Sequence, residues 1–362
     1  MQQLVEARPA AEAGYAGWSS RLGRLLGLSS ALAVLLGLLI VVGVGLGPVS
    51  VPPETVAAIL WHHATGLGVP DWPQTTETIV LVARLPRVLM AAAAGAILAM
   101  AGAAFQAMVR NALADPYVLG VSSGASAGAA VSILVFGGAG GALVLSGSAF
   151  AGALLAIVLV LVIAGRAASL SPLRLILAGL AVGYAMSSVM SFLVFASDSP
   201  EASRAVMFWL LGSLAGVHWS DVGLVGGAAA LLVLAVPFVA DRLDALASGD
   251  ELSLALGIHP GATRLVLMLV FSLAVSATVA HVGAIGFVGL VVPHFARSLV
   301  GARHVVLLPA AALLGGSFLI LADLGARLLF APTEMAIGVV TGIVGAPLLL
   351  LLLARPEAGE PR

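Results

Sequence analysis

The stretch VARLPRVLMAAAAGAILAM, residues 82–100, decides the fold. After Arg87 it contains only apolar residues and glycine. Such a segment can lie in lipid as a helix, because a helix satisfies its own backbone hydrogen bonds. Arg84 and Arg87 stand at the mouth of this helix. The stretch therefore predicts a membrane-spanning helix with two arginines at one end.

The composition extends this prediction to most of the chain. Of 362 residues, 61% are hydrophobic and 9% are charged, and the mean hydropathy is +1.14. Soluble domains carry about 25% charged residues. The bilayer must therefore be the solvent for most of this chain. A net charge of -1 argues against a nucleic-acid partner, which would require a basic surface.

Two residue types are absent. The chain has no cysteine, which excludes disulfides, thiolate metal sites and iron–sulfur clusters. All of its basic residues are arginines, and a P-loop ATPase needs a lysine on the nucleotide phosphates. An enzyme that forms a Schiff base is excluded for the same reason. We predict no cofactor and no metal site.

Apolar runs of roughly 20 residues mark membrane-spanning helices. They predict an all-α membrane protein, a polytopic bundle of about ten transmembrane helices in a single domain over residues 24–354. A cytoplasmic segment, 1–23, precedes this domain and a cytoplasmic tail, 355–362, follows it. The predicted spans are 24–47, 85–108, 117–137, 141–165, 172–196, 220–240, 263–281, 286–301, 305–326 and 334–354.

Arginine in short loops marks the cytoplasmic side. With both termini in the cytoplasm, twelve of the sixteen arginines lie inside. The four outer arginines are Arg84, Arg87, Arg204 and Arg327. Arg84 and Arg87 thus lie on the side where arginine is disfavoured.

Three loops are long. Residues 48–83 form an outer loop that contains Trp61 and Trp72. Residues 197–219 form a second outer loop, in which Ser-Pro-Glu predicts the start of a short helix, SPEASRAVMFWLLGSL. Residues 241–262 form the one substantial inner loop.

The inner loop contains a second helix signal. Ser248 or Asp250 can cap a short helix that carries three leucines and is ended by GIHPG, residues 257–261. This helix is either a simple connector or a docking helix for a cytoplasmic motor. The leucines are Leu252, Leu254 and Leu256.

Small residues recur in LGVSSGASAG, residues 119–128. Gly120, Gly124 and Gly128 are spaced by four, which favours close helix packing in a membrane. Ser122, Ser123 and Ser126 could instead line a polar path, although serines also bond to their own helix. The sequence leaves both readings open.

Ionisable residues are scarce in the predicted spans, which argues against a proton-coupled carrier. Asp323 and Arg327 are four apart and can pair on one helix face. His294 is either a packed, hydrogen-bonded side chain or a ligand. His62 and His63 lie in the outer loop, as polar loop residues or as a metal-capturing pair.

Five stretches together resemble the permease subunits of ABC importers for ferric siderophores, haem and vitamin B12. The resemblance runs in order from about residue 75 to 354. The stretches are RLPRVLMAAAAGAILAMAGAAFQAMVRNALADPYVLGVSSGAS, VMFWLLGSLAGVHWSDV, ALGIHPG, GAIGFVGLVVPHFAR and LADLGARLLFAPTEMAIGVVTGIVGAP.

The resemblance implies a ten-helix subunit of the bacterial cytoplasmic (inner) membrane. A second permease subunit, expected to be an identical copy, would complete the translocation path. Two ABC ATPase subunits would dock inside, and an extracytoplasmic substrate-binding protein would dock outside. The coupling element would be 249–261, with Asp250, Glu251, Leu252, Leu256, Gly257, His259, Pro260 and Gly261.

The resemblance also assigns the outer arginines. Arg84 and Arg87 of RLPR, with Arg327, match the family's arginines that meet glutamates of the binding protein. Arginine suits bidentate contact with carboxylates. Lipid-headgroup anchoring and pairing within the subunit are the alternatives.

The fifth span, 172–196 with Met186, would line the path in this family. Its side chains are weakly interacting, so selectivity would lie in the binding protein. A ferric siderophore is the leading cargo, followed by haem and cobalamin. A secondary transporter or channel is the alternative function and needs carboxylates or broken helices around a midplane site. An intramembrane zinc protease needs HExxH, which the sequence lacks.

Overall fold

The structure is a computed structural model that describes residues 27–165, 170–331 and 333–354. The predicted N-terminal segment 1–23 and the tail 355–362 lie outside the described residues. The helices are α1 Gly27–Gly45, α2 Pro53–Thr65, α3 Gln74–Thr78, α4 Leu85–Val109, α5 Val121–Ala130, α6 Gly141–Gly165, α7 Pro172–Phe195, α8 Pro200–Leu210, α9 Trp219–Ser248, α10 Asp250–Ala255, α11 Pro260–Val282, α12 Val288–Val300, α13 His304–Leu328 and α14 Ile337–Leu353.

The prediction of an all-α membrane bundle is confirmed. Among the described residues, seven helical segments are long and apolar enough to cross a membrane. Shorter apolar helices over Val121–Val135, Val288–Val300 and Ile337–Leu351 coincide with the remaining three predicted spans. The helices α2, α3, α8 and α10 lie in the predicted outer and inner loops.

Helix α4, which contains most of the opening stretch, is the centre of the bundle. It packs against α9, α11, α12 and α13, and most of its side chains are buried. Gly95 of α4 and Gly315 of α13 face each other, and a Cβ added to either would lie 2.2 Å from the other's carbonyl oxygen. The small residues thus allow two backbones to touch, as expected where membrane helices pack tightly.

The start of α4 differs from the prediction. The predicted span begins at residue 85, whereas the helix continues from α3 through a π-helical segment, Ile79–Arg84, giving an unbroken run over Gln74–Val109. Pro86 explains the π geometry, because proline has no N–H and its ring crowds the carbonyl four residues earlier. A π segment widens the helix at that point. Arg84 and Arg87 therefore sit within a helix and have fixed directions.

Non-helical backbone lies between α11 and α12. The Tyr117 hydroxyl donates to the Ile285 carbonyl oxygen and accepts from the Ile285 N–H, both at 3.1 Å. One side chain thereby satisfies both polar groups of an unwound residue, as the interior of a membrane protein requires. Phe287, which follows, has φ 69, an uncommon value for a residue with a side chain.

The predicted loop helices are partly confirmed. In α8 the Ser199 hydroxyl accepts from the Ala202 N–H at 3.2 Å, so the start signal was read correctly. The sixth span was predicted to end at residue 240, and its helix is longer than the span. Helix α9 continues to Ser248, because a helix can extend beyond the bilayer when its exposed side becomes polar.

Candidate functional site

The outer end of the bundle contains three predicted docking arginines, and the first is Arg84. Its side chain is buried, with 7% of its surface exposed. Nη1 donates to the carbonyl oxygens of Val44 (3.0 Å) and Gly45 (2.9 Å), and Nη2 donates to that of Val49. Carbonyls at a helix C-terminus lack partners and carry partial negative charge. Arg84 therefore caps α1.

Arg327 also donates to carbonyls at the end of α1. It donates to the carbonyl oxygens of Leu46 and Gly43, both at 3.0 Å. Its Nε lies 3.0 Å from Asp323 Oδ2, so the predicted pair at this spacing is confirmed as an ion pair. Both side chains are buried, with 3% and 1% exposed. Arg84 and Arg327 together bind the end of α1 to α4 and α13.

Arg87 lies closest to the outer surface. Its Nε donates to Asp323 Oδ1 at 2.8 Å, and Nη1 contacts both carboxylate oxygens of Glu334 at 3.0 and 2.9 Å. The Arg87 side chain is 12% exposed and that of Glu334 is 40% exposed. Asp323 is thus shared by two arginines, and Glu334 covers Arg87 from outside.

These contacts refine the expectation from sequence. We expected three arginines presented to a partner, and the structure engages all three within the subunit. Arg84 and Arg327 are directed at the α1 terminus, and only Arg87 reaches a surface carboxylate. Nothing in the sequence pattern links Glu334 to Arg87, because the two residues are 247 positions apart.

The predicted inner helix is α10, and its end is built as the sequence indicated. The Ile258 N–H donates to the Ser253 carbonyl and the Gly257 N–H to the Leu254 carbonyl, both at 2.9 Å. Gly257 has φ 77, which glycine adopts without strain. This is the Schellman arrangement that ends many helices. Helix α10 is therefore sharply terminated.

The start of α10 corrects the sequence reading. Gly249 occupies the N-cap position, and neither Ser248 nor Asp250 caps the helix. The Ser248 hydroxyl instead donates to the Asp244 carbonyl inside α9. The end of the loop also differs, because Pro260 and Gly261 begin α11 and His259 is its N-cap residue.

The side chains of α10 separate into two sets. Ser253 is fully buried and donates to the Gly249 carbonyl at 2.8 Å. Glu251 and three leucines are exposed. The exposed fractions are Leu252 49%, Leu254 54% and Leu256 62%. A short apolar surface thus projects from the inner end of the bundle.

The glycine repeat lies at helix contacts. A Cβ on Gly124 would lie 2.4 Å from the Gly152 carbonyl oxygen, and one on Gly128 would lie 2.0 Å from the Ser148 carbonyl oxygen, both on α6. Gly120 has φ 73 and precedes α5.

The polar-path residues occupy different places. Ser123 borders a cavity of about 320 Å³ with Tyr117 and Tyr184. Ser122 bonds through its carbonyl to the Ser126 hydroxyl at 2.8 Å. Met186 is partly buried against the core.

The outer histidines have local partners. His63 Nε2 lies 3.2 Å from Glu77 Oε1, and the Trp72 indole donates to Glu77 Oε2 at 3.1 Å. Across the described residues, no three His, Asp or Glu side chains are placed to hold a metal ion.

Comparison with known proteins identifies the family. Residues 35–355 match the FecCD transport family. The chain belongs to the FecCD transport family. It is 41% identical to the cobalamin import system permease protein BtuC of Halobacterium salinarum over 79% of this chain and 76% of that protein. It is 38% identical to the Fe(3+)-citrate import system permease protein YfmE of Bacillus subtilis, over 89% and 93% of the two chains.

A solved structure agrees with the FecCD assignment. It is described as an inward-facing conformation of a metal-chelate type ABC transporter. The alignment has a TM-score of 0.79 and 30% identity and covers 90% of this chain and 98% of that one. This FecCD chain is therefore a multi-pass permease of the cytoplasmic membrane. Its relatives are permease subunits, which agrees with a transport subunit rather than an enzyme.

Proposed function

We propose that this FecCD permease is the membrane subunit of an ATP-driven importer that carries an iron chelate. A ferric siderophore is the leading cargo, with haem and cobalamin next. A second copy of the chain would complete the path, two ABC ATPase subunits would bind inside, and a binding protein would deliver cargo outside. The relatives named for Fe(3+)-citrate and cobalamin import support this class of cargo.

The exposed leucines of α10 carry the proposal. A helix of six residues cannot be stable alone and is here fixed by its ends and by buried Ser253. Its leucines are exposed at the inner end of the bundle, where a solvated surface would be polar. An apolar patch of this kind marks an interaction site. An ATPase subunit would cover it and pass its movement to the permease.

The proposed path uses α7. One side of α7 is buried in the subunit, through residues such as Leu175 and Val182, and the opposite side is exposed. A second permease copy and the path between the two copies would meet this exposed side. Its exposed large apolar residues are Leu173, Leu177, Leu180, Tyr184, Val189, Phe192 and Phe195.

The direct test is reconstitution. The permease, its ATPase subunits and its binding protein are placed in proteoliposomes with a ferric siderophore, haem or cobalamin. We expect ATP-dependent uptake of one of these chelates and none when ATP or the binding protein is omitted. Uptake that continues without ATP, driven by an ion gradient, would instead identify a secondary transporter.

A charged residue on α10 is expected to uncouple the importer. Leu256→Arg places a cation on the patch where the ATPase would bind, so assembly with the ATPase or uptake per ATP should fall about tenfold or more. Gly257→Arg should act similarly, through the strain of its positive φ. Co-purification and uptake assays measure both quantities. Leu67→Arg is the matched control, because Leu67 is also 62% exposed but lies in the outer loop. Equal behaviour of Leu256→Arg and Leu67→Arg would contradict the coupling role.

Docking of the binding protein can be tested through Arg87 and Glu334. If a carboxylate of the binding protein contacts Arg87, it must compete with Glu334. Glu334→Gln should therefore strengthen docking, whereas Arg87→Gln should weaken it, each by about three- to tenfold. Surface plasmon resonance with the permease in nanodiscs gives both affinities.

The opposite signs are the useful part of this experiment. If Arg87 has only a structural role, both variants should leave the affinity for the binding protein unchanged. Arg84 and Arg327 lie beneath Arg87, and their contact with a partner would require their bonds to α1 to open. Their replacement is therefore a less direct test than the Arg87 and Glu334 pair.

A further inference from the structure

Arg264, near the start of α11, is one of the most deeply buried side chains of the chain. Its exposed fraction is 1%. In the predicted topology Arg264 is one of the twelve inner arginines. Burying a guanidinium costs folding free energy unless its N–H groups have hydrogen-bond partners and its charge is paired.

The partners of Arg264 belong to three different segments. Nε donates to the Met108 carbonyl at 3.0 Å, in the last turn of α4. Nη1 donates to Asp250 Oδ2 at 2.9 Å and to the Leu170 carbonyl at 3.4 Å. Nη2 donates to Asp250 Oδ1 at 2.5 Å. The guanidinium therefore joins α4, the segment before α7 and the start of α10.

The contact with Asp250 is a bidentate fork. Such pairs are strong and fix direction as well as distance. The hydrogen bonds from Arg264 lower the pKa of Asp250 from its ordinary value, and the charges of Arg264 and Arg110 add to the effect. Asp250 is thus an anion at neutral pH. It is the first residue of α10, so the fork holds that helix by its N-terminus.

The fork connects α10 to the buried centre of the bundle. Helix α4 extends from Arg87 at the outer end to Met108 at the inner end. Its backbone touches that of α13 at Gly95 and Gly315. A displacement of α10 would therefore be passed through Arg264 to α4 and, with it, to α13.

We infer that Arg264 is the positioning residue that couples α10 to the transport core through Asp250. The inference rests on the proposed function in one respect, namely that an ATPase subunit moves α10. Without the fork, α10 would still bear its leucines but would move independently of α4. ATP would then be hydrolysed without a matching movement of the path.

The test uses the assembled importer in nanodiscs or proteoliposomes, with variants Asp250→Asn and Arg264→Gln. Asp250→Asn keeps an acceptor oxygen for Arg264, whose Nε and Nη1 also stay bonded to the Met108 and Leu170 carbonyls, so this variant tests the fork even if Arg264→Gln does not fold. Arg110→Gln is the matched control, since Arg110 lies 3.8 Å from Asp250 and forms no part of the fork. Hydrogen exchange measures the opening of residues 250–258, and uptake per ATP hydrolysed measures coupling.

We expect exchange over residues 250–258 to rise about tenfold in Asp250→Asn and Arg264→Gln, and uptake per ATP to fall by a similar factor. The double variant should be no worse than either single one, because the two groups act as a pair. Arg110→Gln should resemble the wild type.

Two results would overturn the inference. Unchanged exchange would show that the fork does not hold α10. If exchange becomes faster but uptake per ATP is unchanged in complexes of normal composition, the fork is a structural contact and does not couple α10 to transport. Failure of the wild-type importer to take up any chelate would instead contradict the proposed function, and hydrogen exchange would still decide whether Arg264 positions α10.

Discussion

We expect Gly95→Ala to destabilise the permease so strongly that most of the protein no longer folds. The new methyl group would lie 2.2 Å from the Gly315 carbonyl oxygen and 2.6 Å from its carbonyl carbon. These are backbone atoms, so no side-chain rotation relieves the overlap, and α4 must separate from α13. Overpacking a close-packed core typically costs about 1–3 kcal/mol of folding free energy. We expect about 3 kcal/mol for Gly95→Ala, because the overlap is between backbones. Fluorescence-detected size exclusion and thermal unfolding in detergent measure the loss.

The control for Gly95→Ala is Gly227→Ala. Gly227 lies within α9 and has open space around the added Cβ. Alanine is the better helix former by about 1 kcal/mol, so this variant should be neutral or slightly more stable. If Gly95→Ala unfolds at the same temperature as Gly227→Ala, then α4 and α13 do not touch as described.

The helical architecture could be predicted because lipid constrains each span separately. A span must be apolar along its length and must bond its own backbone, so ten apolar runs give ten helices without knowledge of their neighbours. Interactions between residues close in sequence could also be predicted. Ser199 caps α8, and Asp323 pairs with Arg327 because four residues make slightly more than one helical turn.

Helix boundaries were less predictable, because hydropathy indicates which residues can lie in lipid and not where the helix begins and ends. The sixth span was placed at 220–240, where the charged Asp241 and Arg242 begin, yet α9 continues to Ser248. Likewise, the second span was placed at 85–108, yet its helix is continuous from Gln74 through a π segment. In both cases the backbone hydrogen bonds continue where the apolar pattern changes.

The partners of the buried arginines could not be predicted for a different reason. Arg84 donates to main-chain carbonyls, and Arg264 donates to two of them as well as to Asp250; a carbonyl is a group that every residue carries. No residue type in the sequence marks such an acceptor. Their carboxylate neighbours are also uninformative until the fold places them, as with Asp250 and Arg264. The family resemblance suggested a docking role for Arg84 but did not indicate its hydrogen-bond partners.

The Arg87, Asp323 and Arg327 cluster shows how surroundings change the expected result of a mutation. A rim arginine that only meets a partner could be replaced with little effect on stability. Here the 1% exposed Asp323 carboxylate lies between two arginines, at 2.8 Å from Arg87 and 3.0 Å from Arg327. The cluster also fixes α1, because Arg327 donates to the last carbonyls of that helix.

Asp323→Asn is therefore expected to destabilise the permease strongly. Asparagine has nearly the same shape, so the change removes charge. Among the described residues, the two arginines are then left with the exposed Glu334 as their counter-ion. Removing one partner of a buried ion pair costs about 3–5 kcal/mol, and we expect the lower end because Glu334 still neutralises Arg87. Thermal unfolding of the purified permease in detergent measures the cost.

Glu334→Gln is the matched control, because it removes one carboxylate charge from the same cluster at its exposed edge. An exposed ion pair contributes about 0–1 kcal/mol, so this variant should unfold close to the wild-type temperature. A difference between the two variants would locate the stabilising charge at Asp323, and Asp323→Asn should also loosen α1, seen as faster hydrogen exchange near residues 43–46. Equal unfolding temperatures would mean that the buried carboxylate is not the counter-ion of Arg87 and Arg327, and that these arginines are free to meet a partner.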